Sequence, residues 1–443
     1  MDPPKLDKSL GMEFYGTSSP GLGGIIRKYP IDFIVKEVIR WYGTSPLSLN
    51  KNYKTPHYGP HLLAALVKER WDNIIALSEV QKRLNLHKKD VYIPGIKDAR
   101  ALTSQFLWIR RAHLTRLLSF NVAGIKLYPI SYVSFQLDSS HLIGNSFDIT
   151  IRKLECNPST VNIQIAQTVN EASSLGGIPN FFGHQRFGSL RPISHLIGKQ
   201  IIQRDFKAAV MTYLTFPSRF ENNEVSNLRK IIQEREDFNY AYKKMPRKYL
   251  FERILLKSLK NELNYVNALK KLPLRLKRIF VNAYQSYLFN KTVSKRIKSG
   301  LLLNKAELRD FVLLKISSRT GLEPIKVETH NISRLNRRIA EGKASLVIPL
   351  FGYKTIHSGG SQELIEKEVL KEENLSLRLF YVSPLPEVSC EGDLRTIVLD
   401  MKDFRFNVQK EKINVRFFLN KAGYATTLLR ELMKPKDYVK AGF

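Results

Sequence analysis

The chain has 443 residues, too many for a typical single compact domain, and 43% of them are apolar, so two domains with real cores are expected. Lysine and arginine number 71 against 40 acids, and the net charge of +31 predicts an acidic polymer as partner, because phosphate contacts release counterions and dominate affinity. Two distant cysteines, Cys156 and Cys390, and histidines without ligand spacing exclude a disulfide framework and a zinc site, so no protein-bound metal is expected and a reduced cytoplasm fits. No apolar run reaches the about 18 residues a membrane span needs, and no charged-then-apolar segment opens the chain, so no membrane partner is expected.

Residues 1–23 are polar and rich in Gly, Pro and Ser, and read as a loose end. The stretch 24–38 predicts two strands around Pro30, the second alternating Phe33 and Val35 against Ile34 and Lys36. Residues 61–68 form an apolar strand-like run. An amphipathic helix is expected over 71–86, with Ile74, Ala76, Leu77, Val80 and Leu84 on one stripe. It leads into Tyr92-Ile93-Pro94-Gly95-Ile96-Lys97-Asp98-Ala99-Arg100-Ala101-Leu102-Thr103-Ser104-Gln105. The Pro-Gly breaker ends one short run and Phe106-Leu107-Trp108-Ile109 begins another, so Lys97 and Asp98 belong on a loop between two strands of an α+β unit. An acid held there is placed for chemistry. On these residues alone, a solvated Lys-Asp pair in a surface hairpin is the plainer alternative.

Residues 106–152 read as several strands, to which Arg110, Arg111, Arg116, Lys126 and Arg152 give a basic face. A helix over 159–174 hands the chain to Gly177-Ile178-Pro179-Asn180-Phe181-Phe182-Gly183-His184-Gln185-Arg186-Phe187-Gly188. That stretch combines three glycines, three phenylalanines, an arginine and two amides with no acid. Phenylalanine offers a flat face to a base, and Asn or Gln can read a Watson–Crick edge. From about 204 to 300 the chain reads as helical and strongly basic, with Lys243, Lys244, Arg247, Lys248, Lys257, Lys260, Lys270, Lys271, Arg275, Lys277 and Arg278 close in sequence. Within it, Val281, Tyr284, Leu288 and Phe289 have the spacing of a helical core stripe. Residues 301–380 mix short strands and turns, and a charged helix is expected over 362–373. Strands return at 394–399, 403–407 and 412–419.

The two loop stretches, in that order, resemble the TruD family of pseudouridine synthases, with its G-x-K-D-x-x-A-x-T-x-Q loop (Gly95, Lys97, Asp98, Ala101, Thr103, Gln105) and its G-x-P-N-[YF]-F-G-x-Q-R-F-G loop. Four further stretches are similar to family motifs. They are 24–37 (Arg27, Pro30, Asp32, Phe33, Val35, Glu37), 141–152, the helix motif ending at Asn290, and 421–431 with Tyr424. Pro349-Leu350-Phe351-Gly352-Tyr353-Lys354-Thr355 is similar to a family turn. Ile31, Ala99, Ser146, Ala422 and Gly423 depart from the motifs.

The resemblance runs from about 24 to 434 and implies an α+β pseudouridine-synthase catalytic domain with a mixed, largely antiparallel sheet. It implies a first catalytic part at 1–200, an inserted helix-rich TRUD domain at 201–384 and a second catalytic part at 385–443. It also implies an RNA uridine isomerase acting on tRNA, typically at uridine 13, with no cofactor; the chain is expected to be a cytoplasmic monomer, although its sequence says almost nothing of oligomeric state. Asp98 takes the catalytic role by its motif position, with Arg27 and then Lys97 as the cation beside it. Phe33, Asn180 and Tyr424 occupy uridine-contact positions, Phe182 is a further stacking candidate, and Arg186 a phosphate or loop-bracing candidate. A non-catalytic RNA-binding protein or RNA chaperone of the same fold would explain the charge equally well. A methyltransferase would need a Gly-rich loop after a strand, and Gly21-Leu22-Gly23-Gly24 lacks that context.

Overall fold

The computed structural model describes residues 2–49, 55–112, 114–157, 159–188, 191–218, 221–315, 323–409 and 411–443. The chain packs as two compact units, Ser19–Asn170 with Leu399–Gly442, and Met1–Ser18 with Glu171–Val398 and Phe443.

The first unit is built on one mixed sheet. Its main strands lie in the order Lys402–Gln409, Lys412–Asn420, Leu142–Arg152, Phe33–Ile39, Leu102–Ile109, His61–Glu69 and Ile125–Val133. All these neighbours are antiparallel except Phe33–Ile39 and Leu102–Ile109, which run parallel with Val35 opposite Thr103. This is the mixed, largely antiparallel sheet that the sequence predicts.

The His61–Glu69 strand is buried from Leu62 to Lys68 because both of its faces are covered. Leu62, Ala64 and Leu66 pack with Ala76 and Val80 of the helix Asn73–Arg83, while Leu63 and Ala65 pack with Phe106 and Trp108 on the other face. Asp72 starts that helix by accepting from the Ile74 and Ile75 amides. The buried row is Asn73, Ala76 and Val80, so Ile74, one residue and about 100° further round, is 55% exposed and leaves the expected stripe.

Two local expectations are corrected. Only Ile25 pairs before Pro30, in a single bridge to Arg152, because Arg27 turns at φ +56° and Pro30–Asp32 forms a 3₁₀ turn. Residues 1–23 are not loose: Lys5–Ser9 is helical, and Leu10, Met12 and Leu22 are buried.

The second unit is mainly helical around the 25-residue helix Leu274–Lys298, on which Val281, Tyr284, Leu288 and Phe289 are fully buried, as their spacing predicts. Helix Ser194–Ile202 crosses it closely, and only glycine fits at the crossing: a Cβ on Gly198 would meet Phe280 O at 2.0 Å. A four-stranded sheet, Ile325–Lys326, Phe311–Leu314, Ala344–Leu350 and Asp393–Thr396, completes the unit. Both Ser194–Ile202 and Asp393–Thr396 therefore pack within the helical unit, although the expected insertion spans only 201–384.

Candidate active site

In the sheet unit the geometry centres on the loop joining Val91–Tyr92 to Leu102–Ile109. Asp98 stands on it with a side chain 40% exposed, and its Oδ2 accepts from Arg27 Nη2 at 2.8 Å. Arg27 is buried, donates a second bond to Gly442 O at 3.0 Å, and lies 3.9 Å from the ring centroid of Phe33. Its positive φ is unusual for a residue with a Cβ and is held by these three partners. Burial lowers the pKa of Arg27, and the Asp98 carboxylate opposes that shift. Phe33 is itself buried, with its edge toward Phe147.

Lys97 turns away from Asp98. Its Nζ meets Glu37 Oε1 at 2.5 Å in a buried pair, and Glu37 Oε2 accepts from the Phe106 amide at 2.9 Å. Of the two expected cations, Arg27 is therefore the one on the acid. Neighbours on an extended segment face opposite sides, which is the local reason. Burial raises the Glu37 pKa, and Lys97 opposes it. Beneath the loop lies Lys68, fully buried, with Nζ bonded to Asp98 O and Trp71 O at 2.8 Å each and to Lys97 O at 3.4 Å. Neither Lys68 nor Glu37 is a site candidate from sequence; a lysine at the end of an apolar run is the one signal that could have found the first. Tyr424 caps the helix Ala425–Met433 in the same unit and is half-buried.

The second loop stretch lies in the helical unit. Asn180 is buried, and its Nδ2 donates to Thr396 O at 2.9 Å and Thr396 Oγ1 at 3.1 Å. Its Oδ1 accepts from Arg395 Nη2 at 2.9 Å. The Arg395 guanidinium lies 3.9 Å from the Phe182 ring centroid and that of Arg186 lies at 5.0 Å, so the Phe182 ring is packed against cations. The motif residue Asn290 of the long helix braces this loop through the Phe182 amide, at 2.8 Å, and the Phe182 carbonyl, at 3.0 Å. The helix motif reads as packing from its spacing, which gives no sign of this task for Asn290, and nothing local marks Arg395. A 320 Å³ groove beside the loop is lined by Phe182, Arg186, Gln285, Ser286 and Asp393.

Of the basic residues named from sequence, Lys243, Lys244, Arg247 and Lys248 are exposed. Lys277 is not on that surface, being buried and paired with Glu387. Arg152 likewise leaves the basic face to hold Asp32 with three bonds. Among the described residues, no group of three or more His, Cys, Asp or Glu is placed to hold a metal, and no helix is long and apolar enough to cross a membrane.

A mixed sheet thus bears an interstrand-loop aspartate paired with a buried arginine. The family described as tRNA pseudouridine synthase D (TruD) matches residues 9–432, and the chain belongs to it. A relative from Methanosarcina mazei, named as a probable tRNA pseudouridine synthase D, is 33% identical over 445 residues, covering 98% of each chain. One from Pyrococcus furiosus with the same name is 35% identical over 421 residues, covering 95% of this chain and 98% of that one. A crystal structure of a TruD protein from Methanosarcina mazei superposes with a TM-score of 0.84 at 32% identity, over 98% of this chain and 99% of the other.

Proposed function

We propose that this chain converts one uridine of tRNA, uridine 13, to pseudouridine, with Asp98 as nucleophile and base. The observation that carries this reading is the Arg27–Asp98 pair. A buried cation at 2.8 Å orients a carboxylate that is open enough to meet substrate. The reaction breaks the bond from ribose C1′ to uracil N1, turns the base, and joins C1′ to C5. The C5 proton leaves and N1 gains one, so product and substrate are isomers and no cofactor is consumed. A carboxylate can attack carbon and later take a proton, which suits both halves of that sequence. The names carried by the relatives support tRNA as the substrate class.

Phe33, Asn180 and Tyr424 are the proposed uridine contacts. Asn180 keeps both ends of its amide oriented by Thr396 and Arg395, and it would exchange one of these partners for a uracil edge. Phe182 and Arg186 shape the loop, and Lys97 steadies the acid from behind. We assign the catalytic role to 1–200 and 385–443, since Asn180 and Asp98 precede the first boundary and Tyr424 follows the second. The basic helices of 201–384 grip the RNA backbone, which offsets the few kcal/mol of extracting a stacked base.

Pseudouridine mapping on tRNA treated with wild type and with Asp98→Asn tests the reading. Pseudouridine from wild type and none from the variant is the expected result. tRNA bound tightly by both and modified by neither would overturn it in favour of a binding protein of the same fold.

A further inference from the structure

We propose that Lys68 is a positioning residue that aims Asp98 by holding the main chain of its loop. The proposal rests on the reading of Asp98 above and assigns a task to a buried cation which that reading leaves unused. Lys68 is the last buried residue of the His61–Glu69 strand, and no part of it reaches solvent. Its ammonium has three donors, and three carbonyls take them: Asp98 O, Trp71 O and Lys97 O. Each of these partners is a main-chain oxygen and none is a carboxylate, so the group is spent on the backbone rather than on half of an ion pair.

The loop is thus fastened from two strands. Lys68, on His61–Glu69, holds the carbonyls of Lys97 and Asp98. Glu37, on Phe33–Ile39, holds the Lys97 side chain. Gly95 makes room for this second fastening, since a Cβ there would meet Lys97 Nζ at 3.0 Å. Asn73 adds a longer bond to Gly95 O at 3.4 Å. With the peptide on both sides of its Cα fixed, Asp98 keeps only side-chain freedom, and that is limited by Arg27. Reacting atoms misplaced by about 1 Å lose about 100-fold in rate, which sets the size of the effect to look for.

The arrangement has a pH signature. Burial lowers the Lys68 pKa to about 8, opposed by Asp98 and Asp72 and assisted by Lys97. Glu37 and Arg27 face the same loop, each committed to its own partner. When the ammonium deprotonates, one carbonyl loses its donor. The unfolded chain keeps that proton up to about 10.5, so between about 8 and 10.5 it binds more protons than the folded chain. The Lys68 contribution to stability therefore rises with pH over the window in which its hold on the loop fails. A merely structural lysine would not separate rate from stability in this way.

The test is single-turnover pseudouridine formation at saturating tRNA, from neutral pH to above about 8, for wild type, Lys68→Met and Asp98→Asn, with tRNA affinity and melting temperature measured alongside. The wild-type rate should fall above about pH 8 without a matching loss of affinity or melting temperature. Lys68→Met should be about 100-fold slower at neutral pH, with tRNA affinity kept and the alkaline fall gone. A folded Lys68→Met with the wild-type rate, or the wild-type pH profile, overturns the proposal. If that variant does not fold, a wild-type rate that stays level above about pH 8 overturns it. An active Asp98→Asn would instead sink the active-site reading, whatever Lys68 does.

Discussion

Arg27 and Asp98 form a pair of unequal exposure, with the guanidinium side chain 3% exposed and the carboxylate 40%. The cation is fixed by Gly442 O and the Phe33 ring, so of the two it is the acid that stays open. Arg27→Met should slow pseudouridine formation by about 100-fold or more. It should leave tRNA affinity largely unchanged, because what is lost is the partner that orients the Asp98 carboxylate. A variant with the wild-type rate would show that Arg27 does not act on Asp98.

The Glu37–Lys97 pair is buried on both sides. Lys97→Met alone should cost about 3 kcal/mol by stranding a buried carboxylate, and Glu37→Leu a similar amount by stranding a buried ammonium. The double variant Glu37→Leu with Lys97→Met should lose clearly less than the sum, since neither charge is then left alone. Chemical denaturation of wild type, the single variants and the double variant measures the coupling. Strict additivity would show that the two side chains do not interact.

Ala422 stands at φ +68°, in the left-handed region that disfavours a Cβ, two residues before Tyr424. Ala422→Gly should stabilise the protein by about 1 kcal/mol and raise its melting temperature. A lower melting temperature would mean that the methyl group is worth more than the strain it causes.

Acid should loosen the helical unit in two stages. Burial lowers the pKa of His195, which stacks on Tyr287, to about 4 from 6.5. The unfolded chain therefore takes up that proton first, and stability present above about 6.5 is lost as pH falls toward 4. Glu373 is opposed by burial yet held to about 2, below its ordinary 4.5, by Lys199 at 2.8 Å and Lys291 at 2.7 Å. Its contribution is complete above about 4.5 and disappears as pH falls through 2. His195→Phe keeps the stack and should remove the first stage from a plot of melting temperature against pH. An unaltered first stage would point to another group.

The exposed cations Lys243, Lys244, Arg247 and Lys248 cluster where one helix ends and the next begins. Reversing their charges should weaken tRNA binding. The slope of log affinity against log salt should fall by about 0.7–0.9 for each phosphate that is no longer neutralised. Binding with the wild-type salt slope would place the RNA elsewhere.

Much of this architecture could be read from the chain itself. The alternation in Phe33–Ile39 and the Pro-Gly break before Asp98 are local signals with local causes. The partner of Lys97 was not legible, because Glu37 is 60 residues away and the pairing depends on which strands become neighbours. Arg395 was hidden for the same reason: its bond to Asn180 spans 215 residues and no spacing rule reaches that far. The first 23 residues mislead by composition, since glycine and proline can mark close packing as well as freedom. A Cβ on Gly11 would meet Lys291 N at 2.9 Å, a close approach between two segments of the helical unit.

The pairing of Lys412–Asn420 with Leu142–Arg152 has a consequence for how the protein is made. During synthesis the Leu142–Arg152 strand emerges long before its outer neighbour, while the whole helical insertion is being translated. Through that interval one of its edges shows unpaired amides and carbonyls to other nascent chains. The Arg27 bond to Gly442 O, closed across 415 residues, must wait as well. The arginine partner of Asp98 is thus set in place late, after the sheet has waited unfinished through translation of the helical unit. A strand-edge peptide copied from Lys412–Asn420 would be expected to trap chains at that stage and leave the mature enzyme untouched.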